Sequence, residues 1–228
     1  MCGITGITDK QIEKLEVAIQ KMTKCIAHRG PDDDGFYVDD KVALGMRRLA
    51  IIDLATGRQP MSSKDGRFVI FFNGEIYNYK ELRAKLEKNG EQFSTQSDTE
   101  VILKLFEREA AGSRGEPAEV FKDLRGMFAL SIYDTVKQKL VLARDPFGIK
   151  PLYYWERGNK IAAFSSEIKS FLSLKGFHAE VNDQAVYNYL SFQYNPLDET
   201  FFKGVYKVPP GHYLALDLKT GVFELTRY

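Results

Sequence analysis

The run Phe68-Val69-Ile70-Phe71-Phe72 is five consecutive apolar residues without a polar break. A strand of that composition is stable only when both of its faces are covered. Leu49-Ala50-Ile51-Ile52 has the same character, so the sequence predicts sheets sandwiched between other layers. Further strands are expected at 4–7 and at 36–38, the latter paired with 42–44 across Asp39-Asp40-Lys41. Four more, at 127–133, 140–143, 151–155 and 161–164, are joined by brief turns, as in an antiparallel meander. Two last strand-like pieces lead to Tyr228.

Between these lie helical patterns. Ile12, Leu15, Ile19, Met22 and Ile26 recur at steps of three and four, which predicts one amphipathic helix. Other helices are expected to carry Tyr79, Leu82 and Leu86, then Ile102, Leu105 and Phe106, then the segment 182–190. The helix with Ile102 opens on Ser97-Asp98-Thr99-Glu100, the spacing of a capping box, which puts Asp98 in its first turn. The stretch from Ala110 to Pro117 reads as a surface insertion and not as a boundary, so one large domain of 228 residues is expected.

Composition excludes several classes of function. A hydrophobic fraction of 44%, rich in Phe and Tyr, supplies a core and argues against a disordered chain. Thirty-two Lys and Arg against 31 Asp and Glu leave no basic excess to attract nucleic acid. No apolar run has the length of a membrane span, and Met1-Cys2-Gly3-Ile4 lacks the basic start of a signal peptide, so a cytoplasmic protein is expected. Two cysteines and three scattered histidines offer neither a disulfide framework nor a zinc spacing. Cys25, within Cys25-Ile26-Ala27, reads as a small buried residue.

Cys2 is different because of its position. Removal of Met1 would leave its thiol beside a free α-amine, with ordinary pKa values of about 8.5 and about 7.7–8.0. Nucleophile and base would then share one residue, and no histidine would be required.

The sequence resembles the class II glutamine amidotransferases of the N-terminal-nucleophile hydrolase superfamily, and within them the asparagine synthetases. The resemblance rests on Met1-Cys2-Gly3-Ile4, His28-Arg29-Gly30-Pro31-Asp32, Arg48-Leu49-Ala50-Ile51-Ile52-Asp53 and Phe72-Asn73-Gly74-Glu75-Ile76-Tyr77-Asn78. It extends through Ser97-Asp98-Thr99-Glu100, Leu124-Arg125-Gly126-Met127-Phe128-Ala129 and the segment from Arg144 to Tyr153, in the family's order over nearly the whole chain.

The resemblance implies an α/β fold of α+β type: a four-layer α/β/β/α sandwich of two mainly antiparallel sheets. It implies that Cys2 attacks the carboxamide of glutamine and that Asn73 and Gly74 form the oxyanion hole. By local sequence Asn-Gly would read as a turn, although the missing Cβ of Gly74 also suits close approach to a ligand. Arg48 matches the residue that grips the substrate α-carboxylate, and a guanidinium fork suits that task. Neighbouring Arg47 is set aside only because the family's Arg-Leu pair aligns with Arg48. Glu75 and Asp98 match the groups that recognise the α-ammonium, with backbone atoms of Leu49, Ile51 and Ile52 lining the pocket. Taken alone, each acid would read as a solvated charge or a helix-start acid. Arg29 is expected to support the site, and the Arg144 to Gly148 turn to be structural.

The expected reaction releases ammonia through a γ-glutamyl thioester, without metal or cofactor. The ammonia would serve asparagine synthesis in an ATP- and magnesium-dependent synthetase domain or subunit. The chain carries no phosphate-loop or pyrophosphatase signature for such a domain, and a homodimer is compatible with the family. Two other readings stand beside this one: the same glutaminase serving a natural-product or sugar pathway, and a non-catalytic interaction module of the same fold.

Overall fold

The computed structural model describes residues 1–12, 14–50, 53, 57–111 and 116–228. Among these the chain forms β1 (Gly3–Ile7), α1 (Leu15–Cys25), β2 (Asp33–Val38), β3 (Ala43–Arg48), β4 (Met61–Ser62) and β5 (Phe68–Ile76). It continues with α2 (Tyr79–Lys88), α3 (Asp98–Ala111), α4 (Pro117–Asp123), β6 (Gly126–Asp134), β7 (Lys139–Arg144), β8 (Tyr153–Arg157) and β9 (Lys160–Ser165). It ends with α5 (Asp183–Phe192), β10 (Val205–Lys207), β11 (His212–Asp217) and β12 (Phe223–Arg227).

The strands build two antiparallel sheets, ordered β10-β8-β9-β1-β3-β2 and β12-β11-β7-β6-β5-β4. The absence of alternation in Phe68–Phe72 now has its reason. Side chains alternate across a strand, so Val69 and Phe71 enter a core shared with Ile4, Leu44 and Met46 of the other sheet. Phe68, Ile70 and Phe72 enter a second core with Leu82 and Leu86 of α2, Ile102 and Phe106 of α3 and Phe121 of α4. A third core joins Ile19 and Met22 of α1 to Ile7 of β1, Ala43 of β3 and Ala163 of β9. The order of layers is therefore helix, sheet, sheet, helices, the expected α/β/β/α sandwich.

Several local expectations change. The strand predicted at Leu49–Ile52 is not seen in its described residues: the strand expected at 42–44 runs on as β3 to Arg48, and Leu49 and Ala50 lie in no strand. Their N–H groups go elsewhere, that of Leu49 to the sulfur of Cys2 at 3.3 Å and that of Ala50 to the carboxylate of Asp32 at 2.9 Å. Ile51 and Ile52 lie outside the described residues. The meander breaks between β7 and β8, which belong to different sheets. The break is held by Asp145, fully buried, whose carboxylate accepts the N–H groups of Phe128, Phe147, Ile149 and Lys150 at 2.9–3.2 Å.

The surface insertion is narrower than expected, since Ala110 and Ala111 finish α3 and Pro117 starts α4; residues 112–115 lie outside the described residues. The two strand-like pieces before Tyr228 are β11 and β12, and β10, only three residues long, escaped the sequence pattern. Cys25 is half-buried, not fully buried. No helix among the described residues is long and apolar enough to cross a membrane.

Candidate active site

β1 and β5 face each other across the two sheets, and their ends meet at a cavity of about 130 Å³. Its wall includes Cys2, Arg48, Asn73, Glu75, Asp98 and Lys150. Leu49 and Gly74 line it as well, so every described residue expected in the site is brought together there, from segments nearly a hundred residues apart. Met1 also touches the cavity and is exposed.

Cys2 lies just before β1. Its sulfur sits between the two polar groups of Leu49, donating to the carbonyl oxygen at 3.5 Å and accepting from the N–H at 3.3 Å. The segment that carries Leu49 is itself shaped by the 28–32 motif. At Gly30 a Cβ would come within 2.4 Å of the backbone of Arg47 and Arg48, so only glycine lets the two segments close up. Asp32 then donates its N–H to the carbonyl of Arg48 at 3.1 Å and accepts the N–H of Ala50 on its side chain.

Adjacent residues of a strand point to opposite faces, and this separates the two arginines at the end of β3. Arg47 faces outward to Asp34, at 2.8 Å, and to the carbonyl of Gly30. Arg48 is only 6% exposed and lines the cavity, with Nη2 donating to the carbonyl of Asp53 at 2.9 Å.

The open edge of β5 decides the other wall. Phe128 of β6 gives its N–H and carbonyl to Asp145, so its pairing with Gly74 is of the non-hydrogen-bonded kind. The polar groups of Gly74 therefore turn away from β6, toward the side where β4 reaches only Val69 and Ile70. The N–H groups on either side of it with the same orientation are taken: Phe72 donates to Gln59 Oε1 at 2.6 Å and Ile76 to Asp98 Oδ2 at 3.0 Å. Gly74 sits between them at the cavity, its N–H directed there. Beside it, Nδ2 of Asn73 is buried and has no hydrogen-bond partner among the described residues. The missing Cβ of Gly74 serves packing within the sheet, because a side chain would meet the carbonyl oxygen of Met127 at 2.3 Å.

Asp98 begins α3, as expected, but the cap differs from a capping box. Ser97 Oγ accepts the N–H of Thr99 at 3.1 Å, while Glu100 reaches further back, to the N–H groups of Ser94 and Thr95. Burial raises the pKa of Asp98, opposed by the N–H groups of Ile76 and Thr99 and reinforced by nearby Glu75. The cavity is thus lined by two acids, Glu75 and Asp98, and by two buried cationic residues, Arg48 and Lys150.

Lys150 and Gln59 are lining residues that the sequence did not single out for the site. Lys150 lies in the segment from Arg144 to Tyr153 without a role assigned to it there, and the turn around Asp145 is what brings it to the cavity. Gln59 had no signal; its amide pairs with both backbone groups of Phe72. Among the described residues no group of three or more His, Cys, Asp or Glu is placed to hold a metal ion.

The profile of the glutamine amidotransferase domain matches residues 1–228. The chain belongs to that family. An asparagine synthetase [glutamine-hydrolyzing] 1 of Bacillus subtilis is 44% identical over 92% of the chain, and the corresponding protein 2 is 38% identical over 100% of the chain. The chain spans about a third of these relatives, 33% and 30% of their lengths. A glutamine phosphoribosylpyrophosphate amidotransferase of B. subtilis superimposes with a TM-score of 0.70 at 22% identity, covering 99% of this chain and 49% of that one. This amidotransferase domain therefore has the fold that its sequence resemblance implied.

Proposed function

We propose that this domain hydrolyses glutamine to glutamate and ammonia with Cys2 as an N-terminal nucleophile. We further propose that the ammonia is used for ATP-dependent synthesis of asparagine from aspartate in a synthetase domain or subunit outside this chain. The observation that carries the reading is the pair of donors beside Cys2, the unpartnered Nδ2 of Asn73 and the N–H of Gly74. A buried donor without an acceptor, such as Nδ2 of Asn73, is costly, and together with the Gly74 N–H at the cavity that Cys2 lines it suits an oxygen that becomes negative during reaction.

In this reading the sulfur of Cys2 attacks the carboxamide carbon, and its proton passes to the α-amine exposed by removal of Met1. The carbonyl oxygen becomes an oxyanion held by Asn73 and Gly74. The α-amine returns the proton to the leaving nitrogen, ammonia departs, and water cleaves the thioester to glutamate. Arg48 binds the α-carboxylate, Glu75 and Asp98 bind the α-ammonium, and backbone atoms of Leu49, Ile51 and Ile52 complete the pocket. Charges of both signs lining one cavity match a zwitterion. None of these steps calls on a metal or cofactor; ATP and magnesium belong to the synthetase half. The relatives named as glutamine-hydrolyzing asparagine synthetases support the choice of substrate and acceptor.

The test is ammonia and glutamate release by purified protein shown by intact mass to begin at Cys2. Release that vanishes in Cys2→Ala, with unchanged circular dichroism, is expected. Silence from the processed parent, with and without its synthetase portion, would exclude the proposal.

A further inference from the structure

Lys150 is the cation of the cavity that this reading leaves unemployed. It is 4% exposed, it lines the cavity, and its Nζ has no hydrogen bond or ion pair among the described residues. Its backbone is fixed, with its N–H bound to Asp145 Oδ2 at 2.9 Å and its carbonyl accepting from Nε of Arg144 at 2.8 Å. On the same turn Phe147 and Ile149 point to solvent, so Lys150 is the member directed inward. The Lys150 side chain is packed along its stem while its ammonium opens on the cavity and not on a protein partner, so it is placed to meet charge that develops there.

We propose that Lys150 is a further catalytic residue of this site, whose ammonium stabilises negative charge on the sulfur of Cys2 and disfavours protonation of the Cys2 α-amine. The inference rests on the glutaminase reading for one step only: Arg48, Glu75 and Asp98 satisfy both charges of the substrate's α-amino acid group. Lys150 is then left for the reacting end.

The groups that face it agree with this. Arg29 comes from the helical turn before β2, Cys2 from the start of β1, Glu75 from β5 and Asp145 from its own turn. Burial, and after it the charge of Arg29, leave the pKa of Lys150 lowered on balance, while Cys2, Asp145 and Glu75 favour the ammonium. Interaction between two titrating groups is reciprocal, so an ammonium stabilised by the thiolate also stabilises the thiolate. Arg29 adds to the same field, with Nε on the carbonyl oxygen of Cys2 and a buried Nη2 that has no partner among the described residues.

The test compares the parent with Lys150→Met, and with Lys150→Arg as the variant that keeps the charge. All three are verified by intact mass to begin at Cys2. The rate of iodoacetamide alkylation at Cys2, separated from Cys25 by peptide mapping, is followed against pH, with kcat and KM for glutamine measured alongside. Lys150→Met is expected to fold as the parent does, since it keeps the packed stem and breaks no side-chain hydrogen bond or ion pair among the described residues.

Its alkylation midpoint should move up by about one pH unit, a roughly tenfold slower reaction at pH 7. kcat should fall with KM nearly unchanged, and Lys150→Arg should restore the alkylation midpoint. An unchanged midpoint in Lys150→Met overturns the proposal. So does a raised KM with kcat intact, which would make Lys150 a binding group for the amino acid. Alkylation does not depend on glutamine, so a shifted midpoint in a parent without glutaminase activity would uphold the effect on Cys2 while the functional reading falls.

Discussion

Nε of Arg29 donates to the carbonyl oxygen of Cys2 at 2.9 Å. The same guanidinium is tied by Nη1 to Glu167 at 3.0 Å, and Glu167 also accepts from His28 at 2.8 Å and pairs with Lys169. One residue before Glu167, the hydroxyl of Ser166 accepts the N–H of Ile4 at 3.0 Å and its own N–H donates to the carbonyl of Ile4. Cys2 is thus held by side chains from the turn after α1 and from the segment just past β9, not by its own strand alone.

Glu167→Gln is expected to loosen that clamp. kcat should fall roughly tenfold, the effect of a small displacement of a reacting group, with KM for glutamine preserved. Burial raises the pKa of Glu167, but its bonds to Arg29, His28 and Lys169 outweigh this and leave it lowered. A lowered carboxylate adds stability above its unfolded value, about 4.3, and loses it as pH falls through the folded value. The difference in Tm between parent and variant should therefore be present at pH 7 and shrink below about pH 4.3. A difference that grew with acidity would contradict the clamp.

Asn73→Ala removes the unpartnered Nδ2. If that amide stabilises an oxyanion, kcat should drop by about 10²–10³ with little change in KM. Because the group has no partner in the resting protein among the described residues, its loss should leave Tm unchanged or slightly raised. Steady-state kinetics and thermal melts decide the matter, and an unaltered kcat would remove Asn73 from the mechanism.

Asp98→Asn should separate binding from folding. The pKa of Asp98 is raised, chiefly by burial. The folded protein thus binds that proton more tightly than the unfolded chain, and the ionised carboxylate costs stability as pH rises through and above that interval. The asparagine keeps an acceptor for the N–H of Ile76 without the charge. Tm at pH 7 should be equal or higher, while KM for glutamine rises about tenfold or more through loss of a charge-assisted bond. A KM equal to the parent's would show that Asp98 does not meet the substrate ammonium.

Asp145→Ala tests the crossing between the sheets. The substitution leaves the N–H groups of Phe128, Phe147, Ile149 and Lys150 without their acceptor. A cost of about 3–5 kcal/mol is expected, a fall in Tm of roughly 10 °C. Calorimetry checks it, and a loss of only 1 or 2 °C would mean that water replaces the carboxylate.

Much of this architecture was legible in local pattern. The unalternating Phe68–Phe72 run announced a strand between two cores, the three-and-four spacing of Ile19 and Met22 announced α1, and Ser97-Asp98 announced the start of α3. These signals are readable because burial on a given face is written in the period of a segment's own residues. The resemblance carried by the motifs around Cys2, Arg48, Asn73 and Asp98 named the residues that the fold then gathers at one cavity.

Other features were decided only by tertiary structure. Periodicity reports that a segment is a strand but not which sheet it joins, so the change of sheet between β7 and β8 waited on the four bonds to Asp145. Lys150 is a charged residue in a turn, and only closure of β1, β5 and the turn around one cavity makes it buried. The direction of the Gly74 N–H depends on whether Phe128 spends its polar groups on β5 or on Asp145. The sequence by itself determined the elements and the chemical groups, because these follow from residues close along the chain. Which groups face Cys2, and which are left without partners, depended on contacts between residues far apart in sequence, and those exist only once the two sheets have packed.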